Sequence, residues 1–60
     1  MAAKYKIYQD TKGEYRFRLK APNGEIIGVS EGYSTKDSCH QGIESVRRNA
    51  PEAEIIEIEK

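Results

Sequence analysis

The sequence predicts an α+β fold, a β3-α-β unit in which a three-stranded antiparallel sheet carries one helix and a fourth strand follows the helix. Segments that alternate between apolar and polar residues are separated by glycine-containing turns, and one later segment repeats its apolar residues at helical spacing. Seven Ile, four Tyr and two Val outnumber a single Leu, and this β-branched and aromatic bias favours strands. The chain is therefore expected to be mostly sheet.

The first two strands are predicted to form a hairpin. Residues 4–8 and 15–20 alternate between apolar and polar side chains. The linker Asp10–Gly13 fits a three-residue hairpin loop, with a type I turn followed by a left-handed glycine. The resulting register places Ile7 opposite Phe17 on one face of the sheet.

The third strand is predicted at residues 25–31. Pro22 fits the second position of a type I turn, with Gly24 in the left-handed conformation. This turn pairs the apolar residues of neighbouring strands: Leu19 with Ile27 and Phe17 with Val29. A two-residue Asn-Gly hairpin would instead bring Gly28 and Ser30 opposite Leu19 and Phe17, and Pro22 disfavours it.

A helix is predicted at residues 35–48, with the Ser34 hydroxyl as its N-cap. Its apolar stripe has the spacing i, i+3, i+4 and i+7 and consists of Cys39, Gly42, Ile43 and Val46. A fourth strand is predicted at residues 54–59, where Ile56 and Ile58 face one way and Glu57 and Glu59 the other.

Sixty residues form a single small domain, residues 1–60, and a chain of this length buries only about 60% of its unfolded surface. One cysteine excludes an internal disulfide and a multi-cysteine zinc site, so neither a metal nor a cofactor is expected. The sequence contains no run of about 18 apolar residues and no secretory signal before the first strand. A cytoplasmic protein without a membrane span is expected.

Taken together, these elements resemble the YegP-like family of small bacterial and archaeal proteins, a domain of unknown function. The resemblance covers nearly the whole chain and rests on residues 7–10, 13–21, 23–27, 30–33, 42–46 and 49–51. It implies that two such units, in tandem or as two subunits, form one continuous sheet by exchanging their last strands. Because this chain has one unit, it is expected to be a homodimer whose exchanged strand contains Ile55, Ile56 and Ile58. The family supplies no reaction, ligand or catalytic residue.

The sheet face away from the helix is the candidate binding surface. A non-catalytic interaction module would use this face to meet a protein partner, and that is the function the sequence favours. The residues predicted to form the surface are Tyr8, Arg16, Arg18, Ile26, Gly28 and Ser30. No enzyme activity is predicted.

Single-stranded nucleic acid is the second hypothesis, because five cations share the exposed face of the first hairpin: Lys4, Lys6, Arg16, Arg18 and Lys20. Tyr8 is predicted to be available to stack a base. Residues 1–20 have a net charge of +4 and residues 21–60 of −4, so the chain is neutral, which argues against a polyanionic partner. Glu57 and Glu59 of an exchanged strand would emerge on the same face and compensate these cations.

A catalytic cysteine is a distant third hypothesis. Cys39 and His40 are adjacent, but neighbours on a helix point about 100° apart, and a nucleophile needs its base in contact. Cys39 is predicted to be a small buried residue and His40 a solvated one.

Overall fold

A computed structural model of the chain describes residues 2–59. Three strands, β1 (Lys4–Gln9), β2 (Tyr15–Lys20) and β3 (Ile26–Val29), form an antiparallel sheet in the order β1-β2-β3. Helix α1 (Lys36–Asn49) packs on one face, and a 3-10 turn, Ala50–Glu52, follows it. The predicted α+β class, with a three-stranded antiparallel sheet and one helix, is confirmed.

The first hairpin has the predicted turn and the predicted register. The Gly13 amide donates to the Asp10 carbonyl at 3.0 Å, and Gly13 has a φ of 85°, a conformation in which an L side chain is strained. Paired residues alternate between the two faces of the sheet. The face toward the helix carries the pairs Ile7 with Phe17 and Tyr5 with Leu19. The opposite face carries the pairs Lys4 with Lys20 and Lys6 with Arg18.

The second hairpin has the predicted turn but a different register. The Gly24 amide donates to the Ala21 carbonyl at 2.9 Å, and Gly24 is left-handed as the type I turn requires. A β-bulge then shifts the pairing by one residue. The observed pairs are Lys20 with Ile26, Leu19 with Gly28 and Arg18 with Val29, and Ile27 is the extra residue of the bulge. The prediction of Leu19 opposite Ile27 and Phe17 opposite Val29 is therefore wrong.

Hydrogen bonds explain why the shifted register is stable. The Ser30 amide donates to the Phe17 carbonyl at 2.9 Å, and the Phe17 amide donates to the Ser30 hydroxyl, also at 2.9 Å. Both backbone groups of a buried residue in the central strand are thereby satisfied. These bonds offset the apolar burial lost at Ile27 and Val29, which are 61% and 55% exposed.

Helix α1 begins one residue later than predicted, because Thr35 rather than Ser34 is its N-cap. The Ser38 amide donates to the Thr35 hydroxyl at 3.1 Å and so satisfies one of the free amides at the start of the helix. The helix ends at Asn49, one residue beyond the predicted end.

The core lies between β2 and α1 and is small. Phe17 of the sheet packs with Cys39 and Ile43 of the helix, and these are the buried apolar residues of the chain between residues 2 and 59. The predicted apolar stripe of the helix is confirmed: Cys39 and Ile43 are buried, and Val46 is partly buried against them. Tyr5 and Tyr33 flank Phe17, with ring centroids 5.9 Å and 6.4 Å from the phenylalanine ring.

The C-terminal segment, residues 53–59, does not join the sheet of its own chain. The predicted fourth strand at residues 54–59 is not formed within the single chain, because the segment leaves the 3-10 turn without reaching a sheet edge to pair with. Its isoleucines are exposed to solvent, Ile55 by 96%, Ile56 by 73% and Ile58 by 86%.

Candidate functional site

The sheet face that α1 does not cover, here called the open face, carries cations beside apolar residues. The strand register places eight side chains on it: Lys4, Lys6, Tyr8, Arg16, Arg18, Lys20, Ile26 and Val29. All five cations predicted for nucleic-acid contact lie on this face, as do four of the six residues predicted to meet a protein partner.

Gly28 and Ser30 were predicted on the open face, and the structure corrects this. Gly28 lies opposite Leu19, and Ser30 is hydrogen-bonded to Phe17, so both occupy the helix side of the sheet. The bulge at Ile27 is the physical reason, since one extra residue reverses the facing of everything after it. Val29 takes the open-face position instead.

Arg16 is held by a carboxylate on the open face. Its Nε donates to Asp10 Oδ2 at 2.7 Å, and its Nη1 donates to the Ser30 carbonyl at 3.1 Å. The Arg16 hydrogen bond lowers the pKa of Asp10 despite the opposing effect of burial, and the amides of Glu14 and Lys12, which donate to Oδ1, lower it further. The carboxylate raises the pKa of Arg16 in return, so both groups are ionised at neutral pH.

Arg18 lies over the ring of Tyr8, with the guanidinium carbon 4.2 Å from the ring centroid. Both residues are half-buried. This cation–π contact occupies one face of the aromatic ring. Tyr8, which was predicted to be available for base stacking, therefore has one ring face covered by a neighbouring side chain.

Three lysines converge on a small recess at one corner of the open face, here called the lysine recess. Its volume is about 120 Å³, and its lining residues are Ala2, Lys4, Lys6, Lys20, Ala21, Pro22 and Gly24. Lys4 lies directly opposite Lys20, an arrangement of like charges that is destabilising. The ion pairs found within residues 2–59 are Arg16 with Asp10 and Arg47 with Glu44, so no carboxylate of this part of the chain neutralises the three lysines.

A larger cavity of about 320 Å³, here called the apolar groove, lies on the helix side between the sheet and α1. Its lining residues are Tyr5, Phe17, Leu19, Gly28, Val29, Ser30, Glu31, Tyr33 and Val46. A Cβ built on Gly28 would meet no atom within 4 Å, so the floor of the groove is open. Glycine within a strand commonly marks a place where another backbone approaches closely.

Cys39 is fully buried, and burial raises the pKa of its thiol, whereas His40 is exposed. A thiol that is buried and protonated is a poor nucleophile, and the predicted packing role of Cys39 is confirmed. Between residues 2 and 59, no group of three or more His, Cys, Asp or Glu side chains is placed to hold a metal ion. No helix in the same range is long and apolar enough to cross a membrane.

Sequence reasoning missed two features of these surfaces. Asp10 was predicted only as a turn residue, although an acid at the first position of a hairpin loop lies near a cation two or three residues past that loop. The apolar groove was missed because the predicted register filled it with Ile27 and Val29. Gly28 was the available signal, since an isolated glycine in a strand pattern suggests a bulge.

These observations define a small α+β domain with one helix, a cationic open face and an uncovered apolar groove. Residues 10–57 match a protein family described as a domain of unknown function, DUF1508. The chain belongs to this family, and the resemblance to YegP-like proteins predicted from the sequence is confirmed.

Relatives of the chain occur in bacteria and archaea. A UPF0339 protein of Treponema denticola is 55% identical over 58 residues, which are 97% of this chain and 100% of the relative. A protein of Haloferax volcanii, solved by NMR in solution, has a TM-score of 0.89 at 45% identity and covers 95% of this chain and 97% of its own. A UPF0339 protein from the 5′ region of the ptx operon of Stutzerimonas stutzeri is 54% identical over 52 residues, which are only 47% of its length. That relative is therefore about twice as long as the matched unit.

Proposed function

We propose that the chain is a non-catalytic interaction module that works as a homodimer and presents its open face to a protein partner. One observation carries the dimer: three exposed isoleucines, Ile55, Ile56 and Ile58, and an empty apolar groove occur in the same small chain. Both surfaces are apolar, and in the single chain neither covers the other. A second copy of the chain supplies the missing partner for each.

The energetics favour this arrangement. Burying an isoleucine side chain contributes about 1.5–3 kcal/mol, so Ile56 and Ile58, which share one face of a strand, together contribute several kcal/mol per subunit. That amount is large for a chain whose buried core consists, within residues 2–59, of Phe17, Cys39 and Ile43. The open floor over Gly28 leaves room for an incoming segment close to the sheet. The doubled length of the Stutzerimonas stutzeri relative fits a module that works as two units.

We propose that the segment is exchanged as a strand, each subunit lending residues 54–59 to the other. β1 and β3 are the outer strands of the sheet, and an outer strand offers unpaired backbone groups to an added strand. Alternation then turns Ile56 and Ile58 toward the helix side and Glu57 toward the open face. A cytoplasmic location suits this domain, because its single thiol at Cys39 needs no oxidising compartment.

Analytical ultracentrifugation tests the dimer. We expect a species of twice the 6.8 kDa monomer mass at micromolar concentration. Replacing Ile55, Ile56 and Ile58 together by Ser should give a monomer, whereas replacing Glu52 and Glu54 by Gln, the matched control at exposed acids where the segment begins, should leave the dimer intact. A wild-type protein that sediments as a monomer at every concentration would contradict the proposal.

Isotope-filtered NMR on a mixed labelled and unlabelled sample then separates exchange of the segment from simple packing, since only exchange places residues 54–59 against the other subunit's strand.

The open face is the proposed partner surface, because Ile26 and Val29 are 49% and 55% exposed beside a row of cations. An apolar and acidic protein surface is the chemistry that fits this face. Affinity capture from the native cell should recover the same protein with the wild type and with Ile27→Ser, and should lose it with Ile26→Ser combined with Val29→Ser. Equal recovery with both variants would contradict a role for the open face.

Single-stranded nucleic acid is the second candidate, favoured by four open-face cations that make no ion pair within residues 2–59: Lys4, Lys6, Arg18 and Lys20. Arg16 is weaker as a contact, because Asp10 already neutralises it. Binding through phosphates requires affinity that falls steeply with salt concentration. No retention of single-stranded DNA or RNA in a low-salt filter assay would exclude this candidate.

A further inference from the structure

The lysine recess differs from the rest of the open face in three ways. Three lysines line one concave site of about 120 Å³, whereas the other two open-face cations are engaged, Arg16 by Asp10 and Arg18 by Tyr8. Its wall at Gly24 has no side chain, and a Cβ built there would meet nothing within 4 Å, so this side of the recess is open. The strand register also forces two of its lysines together, Lys4 directly opposite Lys20.

Forced proximity of like charges is costly unless an anion occupies the space between them. Lys20 belongs to the central strand and is half-buried, and the strand pairing keeps its Cα atom directly opposite that of Lys4. Within residues 2–59 no carboxylate neutralises the group. The charge at this corner is therefore preorganised for an anionic ligand from outside the chain.

The size and donors of the recess indicate the class of anion. The recess is small, about 120 Å³, which suits one compact oxyanion better than a peptide segment. Lysine ammonium groups bind phosphate as point charges with several donors each. We propose that the lysine recess is a binding site for a phosphoryl group, held by Lys4, Lys6 and Lys20.

This site goes beyond the proposed interaction module and does not depend on dimerisation, since it lies on the sheet face opposite the apolar groove. A phosphoryl group has two obvious sources, a free polyphosphate or nucleotide and the backbone of a nucleic acid. Both place the same group against the same three lysines. The two sources differ in how many contacts they would make with the protein, because a nucleic acid would also reach Arg18 and the rest of the open face.

The test is NMR titration of the isotope-labelled full chain with sodium tripolyphosphate at constant ionic strength. Saturable shifts should be confined to the amides of the recess, chiefly Lys4, Lys6, Lys20 and Gly24. Lys20→Gln and Lys4→Gln should each weaken binding about tenfold, as expected for the loss of a charged donor. Lys12→Gln is the matched control, because Lys12 lies in the turn at the other end of the hairpin, and it should change nothing. Lys20→Arg keeps the charge and should retain most of the affinity, which separates loss of charge from loss of fold.

Two further ligands complete the experiment. Tricarballylate, a carboxylate anion of comparable size, should bind much more weakly than tripolyphosphate, and equal binding would overturn the assignment to phosphoryl groups. A short oligothymidylate that binds with shifts across the whole open face would identify nucleic acid as the source. Shifts that appear with tripolyphosphate and not with the oligothymidylate would identify a free phosphoryl compound.

No saturable shift with either phosphoryl ligand, or equal shifts in Lys4→Gln and wild type, would overturn the proposal. A rise in tripolyphosphate affinity on Glu57→Gln would also overturn it, because the partner's carboxylate would then be the resident anion.

Discussion

The phenol ring of Tyr33 lies against the backbone of Gly42 in the middle of α1. A Cβ built on Gly42 would overlap the Tyr33 hydroxyl and stand 2.8 Å from the ring carbon Cζ, closer than side-chain atoms approach. The ring has little freedom to retreat. Tyr33 exchanges two backbone hydrogen bonds of 2.8 Å with Tyr15, and its ring stacks on Phe17. Gly42 is thus a contact point between the helix and the connection that leads into it.

This contact decides whether replacing Gly42 by alanine raises or lowers the free energy of unfolding. Alanine is better than glycine in a helix interior by about 1 kcal/mol, but the overlap with a fixed ring costs about 1–3 kcal/mol. We expect Gly42→Ala to lower the free energy of unfolding by about 1 kcal/mol, measured by urea denaturation at fixed protein concentration. In a Tyr33→Leu background, where the long ring is absent, the same substitution should raise it by about 1 kcal/mol.

Tyr33→Phe is the control for the hydroxyl alone. It removes one overlapping atom and keeps Cζ at 2.8 Å, so Gly42→Ala should still be destabilising in that background. A stabilising Gly42→Ala in the wild-type chain would show that the ring moves aside freely.

The Asp10–Arg16 ion pair predicts a pH dependence of stability. The pKa of Asp10 is lowered in the folded chain, mainly by Arg16, so the unfolded chain binds more protons than the folded one at low pH. The stabilisation is present above the unfolded pKa of about 4 and is lost as the pH falls through the lower folded value. Asp10→Asn should therefore lower the melting temperature at pH 7 and flatten its fall between about pH 5 and pH 2. Glu25→Gln, which removes an exposed carboxylate without an ion pair within residues 2–59, should leave that fall unchanged.

Local sequence determined the first hairpin, because Asp10 and Gly13 fix both the turn and the register of its two strands. The second hairpin shows the limit of such reasoning. Its turn was predicted correctly from Pro22 and Gly24. The bulge at Ile27 was not, because it depends on the Ser30 hydroxyl, which accepts a hydrogen bond from the Phe17 amide across the sheet. That hydrogen bond joins residues 13 positions apart, so no pattern in the local sequence predicts it.

The candidate surfaces also divide into features that the local sequence determines and features that depend on contacts between distant residues. The cations of the open face were predictable, since they alternate along β1 and β2 in a register that the first turn fixes. Their partners were not, because Asp10 reaches Arg16 and Arg18 reaches Tyr8 through side-chain conformations that a strand pattern does not contain. The apolar groove was unpredictable for a third reason: it exists only because the bulge turns Val29 outward and leaves Gly28 on the floor.

Burial of Cys39 predicts low reactivity. Its thiol is inaccessible and its pKa is raised by burial, so both exposure and thiolate fraction are low in the folded chain. We expect reaction with a disulfide reagent at pH 8 to be much slower than in the urea-unfolded chain. Cys39→Ser should cost about 1–3 kcal/mol, because a hydroxyl is buried where the thiol packs, and Cys39→Ala should cost less than Cys39→Ser if the site has no acceptor. A folded-state rate equal to the unfolded rate would show that the thiol is accessible.

Gly28→Val separates the stability of the subunit from its assembly. The new side chain meets no atom within 4 Å, Gly28 has no positive φ, and valine favours strands, so we expect the isolated subunit to be as stable or more stable. The same side chain fills the floor of the apolar groove, so the dimer dissociation constant should rise by about tenfold or more, measured by sedimentation. Ile26→Thr is the matched control, since Ile26 lies on the same strand, pairs with Lys20 on the open face and does not line the groove. If Gly28→Val dimerises as tightly as the wild type while Ile56→Ser does not, the C-terminal isoleucines bind outside the groove, and the sheet edge alone carries the association.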